Sequence, residues 1–296
     1  MMKATVKTLV LLLIASLVLP LFACGDMVMP SPWGDGTESI ATPSEKSTGE
    51  PDASEPGSPE SAQPSESPAE SAQTPAEKPY STVSIRDAKV GDVIVFGSYE
   101  QDGNQANGKE PLEWLVLTGD DSSLLILSLY GIERMQFHSS LTKVTWETSA
   151  VRAWLNGDFL SAAFSAEEKA KIENTMVTAE KDPKYPNSPA GNDTQDKLFL
   201  LSAMEAELYW PESSSRICAP TDAVAASAPS GIYPHIRQAW YSGNDHLCSW
   251  WLRSPGTFKD LYVSYVDHSG NISGGGQVYL TGTDLCVRPA MWISVS

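Results

Sequence analysis

The residues with the widest chemical range are four cysteines, Cys24, Cys218, Cys248 and Cys286, and four histidines, His138, His235, His246 and His268. His246 precedes Cys248 by two residues, and alternate residues of a strand share a face, so the two could form a base and a nucleophile. Neither an orienting third group nor a pair of oxyanion donors stands beside them, so Cys248 reads as structural. The histidines are scattered without metal-ligand spacing. The HExxH, P-loop and GxSxG patterns do not occur. Neither a metal nor a cofactor is expected. Asn192-Asp193-Thr194-Gln195-Asp196 offers oxygen ligands, but it lacks the Asp-x-Asp-x-Asp-Gly loop of a calcium site and reads as caps of a turn.

Lys3 and Lys7 precede an apolar run from Leu9 to Phe22, the pattern of a secretory signal peptide. The run is broken by Pro20 and falls short of the ~20 apolar residues that span a bilayer. Leu21-Phe22-Ala23-Cys24 resembles a bacterial lipobox, with Phe22 larger than usual for its place. That resemblance implies a diacylglycerol on Cys24, which would become the mature N-terminus. One acyl chain holds only marginally at about 0.8 kcal/mol per buried CH₂, whereas two or three hold stably. The alternative is a plain secreted protein cleaved near Ala23.

With Cys24 so used, Cys218, Cys248 and Cys286 allow at most one internal disulfide, and export permits it. Cys218 to Cys248 is the pairing favoured, as a staple between a loop and a strand, with Cys286 a buried apolar residue; the alternative leaves all three reduced. Arg253 and Arg288 stand inside apolar runs, where an arginine pairs with a buried carboxylate or loop carbonyls. Both read as structural, with Trp250, Trp251 and Trp292. The candidate ligand surface is the glycine-rich stretch after them. There Tyr262, Tyr265, His268, Asn271, Gln277 and Tyr279 offer aromatic faces and amides suited to sugars or peptides. Ordinary strand residues of a small sheet would look the same.

The elements that must position these residues begin late in the chain. The net charge is −17, which argues against nucleic acid and against a polybasic membrane contact. Residues 25–80 hold 11 Asp/Glu against 2 Lys, with ten prolines and a near-repeat of Glu-Ser-Ala-Gln. Such a composition does not repay the entropy of ordering, so an extended tether of roughly 40 Å is expected. Eight of the nine tryptophans follow residue 80, ample for a core.

Val90 to Tyr99, Glu113 to Thr118 and Ser123 to Tyr130 read as an antiparallel meander, joined by turn pairs at Asp102-Gly103 and Asn107-Gly108. A helix capped by Thr148 or Ser149 is expected to run to about Asn156. Capping boxes at Ser165/Glu168 and Ser202/Glu205 open helices to about Asn174 and Tyr209. Lys197 to Leu201 reads as a buried strand. Trp250 to Arg253 is a strand stopped by Ser-Pro-Gly. Leu261 to Val266, Gln277 to Leu280 and Val287 to Ser294 complete the sheet, the last pairing near the tryptophans. The expected fold class is α+β, mostly antiparallel sheets with short helices.

Phe96-Gly97-Ser98-Tyr99, Gly108 to Leu117, Trp146-Glu147-Thr148-Ser149 with Arg152 to Asn156, Gly191 to Lys197, Trp250 to Gly256 and Val287 to Ile293 follow one another in order. Together they resemble an uncharacterised bacterial domain family of secreted and lipid-anchored proteins, over nearly all of residues 85–296. More distantly, the ending resembles C-type-lectin-like domains, which include sulfatase-modifying-factor-like proteins. That resemblance implies a lectin-like C-terminal part whose loops display a ligand surface; fold alone does not fix function. The expected organisation is a lipoprotein signal peptide at 1–23, a lipidated cysteine and linker at 24–80, and one domain at 81–296. The expected function is a non-catalytic receptor or adhesin-like module. It would be held by Cys24 on the extracellular face of a bacterial membrane and bind a glycan or protein. A cell-envelope enzyme with an unrecognised site and a structural module without a ligand are the alternatives.

Overall fold

Short β-branched and aromatic runs, cut by Gly, Pro and Asx turns, build this domain from strands too short to stand alone. The computed structural model describes residue 78 and residues 80–227, 247–257, 261–278 and 285–296. The chain divides into two units, Met1–Ala69 and Glu70–Ser296, and every described residue lies in the second. Cys24, His235, His246 and Tyr279 lie outside the described residues, as does Leu280, so only Gln277 and Val278 of the strand expected at 277–280 are described.

The first sheet opens with β1 (Thr82–Val83), which runs parallel to β2 (Val93–Tyr99). The meander continues through β3 (Glu110–Gly119) and β4 (Ser123–Ser128), each antiparallel to the last. Leu112, Trp114 and Val116 alternate into the core, where the Trp114 Nε1–H donates to Phe96 O at 2.7 Å. The chain then crosses to the second sheet at β5 (Glu133–Arg134).

A helical stretch follows. Ser149 caps α1 (Ala150–Trp154) by accepting the Arg152 N–H. The helix was expected to stop near Asn156, but it widens into a π turn over Leu155–Phe159 and resumes as α2 (Leu160–Ala163). Val151, Leu155, Phe159 and Ala163 recur every fourth residue and all are buried, which carries the helix on. Asn156 does not cap it. Its side-chain oxygen accepts the N–H groups of Lys197 and Leu198 instead. The Ser165/Glu168 box opens α3 (Ala166–Lys171), which ends short of Asn174 because Ile172 turns to bridge Ile293.

Strands β6 (Thr175–Val177) and β7 (Thr194–Asp196) pair as a small ribbon. The strand expected at 197–201 is buried over 198–201 but unladdered; only Phe199 bridges Ala290. The Ser202/Glu205 box opens α4 (Ala203–Tyr209), and a short α5 (Asp222–Ser227) follows a 3₁₀ turn at Ser213–Arg216.

Strand β8 (Ser249–Pro255) carries the paired indoles at the middle of the second sheet. Adjacent residues point to opposite faces, yet Trp250 and Trp251 are both fully buried, so this strand is covered on both sides. Strands β9 (Tyr262–Val266) and β10 (Ile272–Gln277) form its outer hairpin. The C-terminal segment does not stay beside the tryptophans. It divides into β11 (Leu285–Val287), parallel to β8, and β12 (Ala290–Ser294), which crosses to pair with β4. Pro289 lacks the N–H a continuous ladder would need, so the change of sheet falls there. The β4–β5 crossing runs antiparallel to the β11–β12 crossing, and together they make a seam that ties the two sheets. The fold is α+β with mostly antiparallel sheets.

Candidate groove over Glu113 and the thiol seam behind it

Strand β3 presents Leu112 and Trp114 to the core and Glu113 between them to the opposite face. That face is not solvent. Glu113 is only 7% exposed, at the floor of a groove of about 680 Å³. The walls come from residues 78 and 80–82, from β2 and β3 with the 101–110 loop, from Tyr130, and from residues 219–222 leading into α5. Lys78 Nζ lies 2.6 Å from Glu113 Oε1, and the Tyr80 hydroxyl donates to Glu113 Oε2 at 2.9 Å. Tyr130 Oη stands 3.2 Å from Tyr80 Oη. Burial first, then the Tyr130 and Glu113 contacts, push the Tyr80 hydroxyl far above its ordinary value, so it keeps its proton.

The rim is acidic. Carboxylate oxygens of Glu100, Asp102 and Glu110 come within 4.8 Å of one another. Each of the three also holds the hairpin in shape. Glu100 accepts from Gly103 N, Asp102 from Asn104 N, and Glu110 from Gln101 N. The Asn107 amide, with the Asn104 N–H, draws the exposed Asp102 carboxyl below its usual range.

Behind the 219–222 wall lie three buried thiols. Cys218 and Cys248 face each other across an antiparallel bridge, with Cys248 N donating to Cys218 O at 2.9 Å. Cys286 pairs with Trp250 one strand over. All three remain thiols, so the expected Cys218–Cys248 disulfide is not formed here, although the two residues meet where it would be. Gly131 leaves them room. A Cβ there would stand 2.7 Å from Cys286 Cβ and 3.0 Å from Cys248 Sγ.

Burial pushes the Cys218 thiol up. The Cys248 thiol, the Arg288 charge and the Gly131 N–H outweigh it and bring the thiol down to about 7. Cys248 is pushed well up by burial and by its two thiol neighbours, so it keeps the proton. Arg288 donates from Nε to Ser128 O and lies between two indoles, 5.1 Å from the Trp250 ring centroid and 5.5 Å from that of Trp210. Its Nη1 has no hydrogen-bond partner among the described residues. Arg253 does meet a carboxylate, Glu205, and also donates to Leu200 O at 2.8 Å. Trp292, half-buried in β12, lies opposite Leu125.

The five expected ligand residues that are described, Tyr262, Tyr265, His268, Asn271 and Gln277, do not converge. Tyr262 and Gln277 face each other at one end of the β9–β10 hairpin, while His268 and Asn271 sit in the turn at its other end. Five residues of strand put these ends roughly 16 Å apart. Asn271 is spent on the turn through Asp267, and Tyr265 packs edge-on against Trp251. The glycine run is strand rather than display loop. A Cβ at Gly276 would stand 2.6 Å from the Trp251 ring, and one at Gly274 2.1 Å from the Tyr185 ring. The oxygen-rich 192–196 stretch is likewise used internally. Asn192 bonds Glu147, Asp193 accepts the Ala179 N–H, and Asp196 holds Arg152 and Trp146.

Sequence reasoning missed Glu113, Tyr80 and Tyr130. The available signal was an acidic residue inside the apolar run Leu112 to Leu117. Lys78 and Tyr80, placed in the linker by composition, belong to the groove.

Two crossed-over, mostly antiparallel sheets with short capping helices define an α+β domain. Residues 121–295 match the family described as a domain of unknown function (DUF6273), and the chain belongs to that family. No curated protein and no solved structure matches it. The matched segment contains Tyr130, residues 219–222 and the thiol seam; β1 to β3 and the acidic hairpin precede it.

Proposed function

We propose that the chain is a lipid-anchored bacterial surface protein whose domain binds a glycan or protein in the groove over Glu113. The observation that carries this is Glu113 itself. A carboxylate held out of water costs several kcal/mol unless its oxygens are paired. Here an ammonium and a phenol take one oxygen each, at the floor of an open groove. Tyr80 stays protonated and therefore holds a partner rather than taking its proton. Two phenol rings and the Gln101 amide beside it suit a sugar or a peptide. In this reading the lipid on Cys24 anchors the chain at the membrane's extracellular face, and the linker ends before Lys78. A distant lectin-like relationship fits a site built where loops meet sheet ends.

A glycan and peptide array probed with the full chain tests this, repeated with Tyr130→Ala and with Tyr262→Ala. Loss on Tyr130→Ala with retention on Tyr262→Ala supports it. Binding to nothing, or the reverse pattern, defeats it. The observation favouring a cell-envelope enzyme instead is Cys218, with its thiol brought down to about 7 beside Arg288. Cys218 is fully buried behind the groove wall, so catalysis ranks second. Binding unchanged by Cys218→Ser is the expected outcome.

A further inference from the structure

We infer that the groove is an ammonium seat for a lysine side chain of an extended peptide, filled in the unliganded protein by the chain's own Lys78. This rests on the groove reading above and names the ligand's chemistry. The seat has three parts around one nitrogen. Glu113 Oε1 lies 2.6 Å from Lys78 Nζ, the Tyr80 ring centroid lies 5.8 Å away, and the Tyr80 hydroxyl fixes the second carboxylate oxygen at 2.9 Å. A carboxylate beside an aromatic face is the environment that ammonium groups seek. The charge balance agrees: among the described residues Asp102, Glu110, Glu113 and Asp222 line the groove against Lys78 alone. A neutral sugar would meet these carboxylates with hydrogen bonds about half as strong as charge-assisted ones.

The groove extends well beyond one ammonium, and its rim carries a second feature that selects a peptide. Ser81 and Thr82 line it, and β1 is an end strand of the first sheet, with β2 on its inner side. At the other end of that sheet, β12 is covered by single bridges to Ile172 and Phe199. An extended peptide could pair along β1 while its lysine reaches Glu113.

Lys78 is a loose occupant, with its side chain 48% exposed. An ion pair of that exposure is weak, so displacing it should cost a ligand only about two- to fivefold in affinity.

The test is calorimetry on the full chain with three probes: the N-terminally acetylated peptide Gly-Gly-Lys-Gly-Gly, the same peptide with its lysine Nε also acetylated, and a glucosamine trimer, which carries its ammonium groups on a sugar. The peptide should bind, Nε-acetylation should abolish binding, and the trimer should bind at least tenfold more weakly. Lys78→Ala should tighten the peptide about two- to fivefold, a gain that misfolding does not produce. Glu113→Gln should weaken it roughly tenfold or more with the unfolding midpoint retained. Peptide binding that is absent, or that is indifferent to Nε-acetylation or to Lys78→Ala, overturns the inference, as does preference for the trimer. If array glycans still bind and are lost on Tyr130→Ala, the groove reading survives that failure. If nothing binds, both fall.

Discussion

Arg253 and Glu205 show how one pair spans two tasks. Glu205 closes the capping box of α4 through the Ser202 N–H and also neutralises the buried Arg253 guanidinium. Burial alone would raise its carboxyl, but Arg253 and Ser202 hold it below the ordinary range. A carboxyl depressed by folding binds fewer protons folded than unfolded. Its stabilisation is therefore full above the usual carboxylate value of ~4.3 and is lost as pH falls through the depressed one. Glu205→Gln should cost about 3–5 kcal/mol at neutral pH, because Arg253 stays buried without its partner. It should also flatten the acid limb of stability; denaturant titrations across pH check both. Cys218 follows the same sign at higher pH. Its thiol, near 7, adds stability that is complete above the ordinary thiol value of ~8.5 and is lost as pH falls through 7. Replacing Arg288 with Met should move the thiolate absorbance titration up towards that ordinary value. On exposure to a disulfide reagent, Cys218 should join Cys248 and leave Cys286 as the thiol. Peptide mapping that joins Cys248 to Cys286 contradicts this.

The elements most legible in the sequence were those with local signals. The two capping boxes and the β2–β3–β4 meander needed only neighbouring residues to be read. What the sequence hid depends on partners distant in the chain. The helix from Ala150 ran on because Asn156 bonds the backbone at 197 and 198 rather than capping. The apolar 198–201 run is buried by packing without a ladder, which periodicity cannot distinguish from a strand. The glycine run pointed to loops, but Gly274 and Gly276 are small so that Tyr185 and Trp251 can approach. At the seam, Gly131→Ala should destabilise by roughly 1–3 kcal/mol, since the added methyl meets Cys286 and Cys248 in a packed core. Serine for Cys286 in that background should not restore stability, because the closest clash is with Cβ. Thermal melts of the single and double variants decide it.

At the scale of the molecule, the C-terminal segment closes both sheets, so the domain is not complete until its last residues pair. Removing residues 289–296 deletes β12 from β4 and frees the single bridges at Ile172 and Phe199. Loss of cooperative unfolding is the expected result, and a truncated chain that still melts in one sharp transition contradicts it. The groove was illegible because it is assembled from four separate stretches of chain. One of them, Lys78 and Tyr80, sits in a segment whose composition reads as tether. The proposed function depends on where a ligand rests. Hydrogen–deuterium exchange of the full chain, with and without a ligand selected from the array, tests this most directly. Protection over residues 80–82, 110–113, 130 and 219–222, with 262–277 unchanged, is the predicted footprint. Protection confined to 262–277 would return the site to the outer hairpin and contradict the groove.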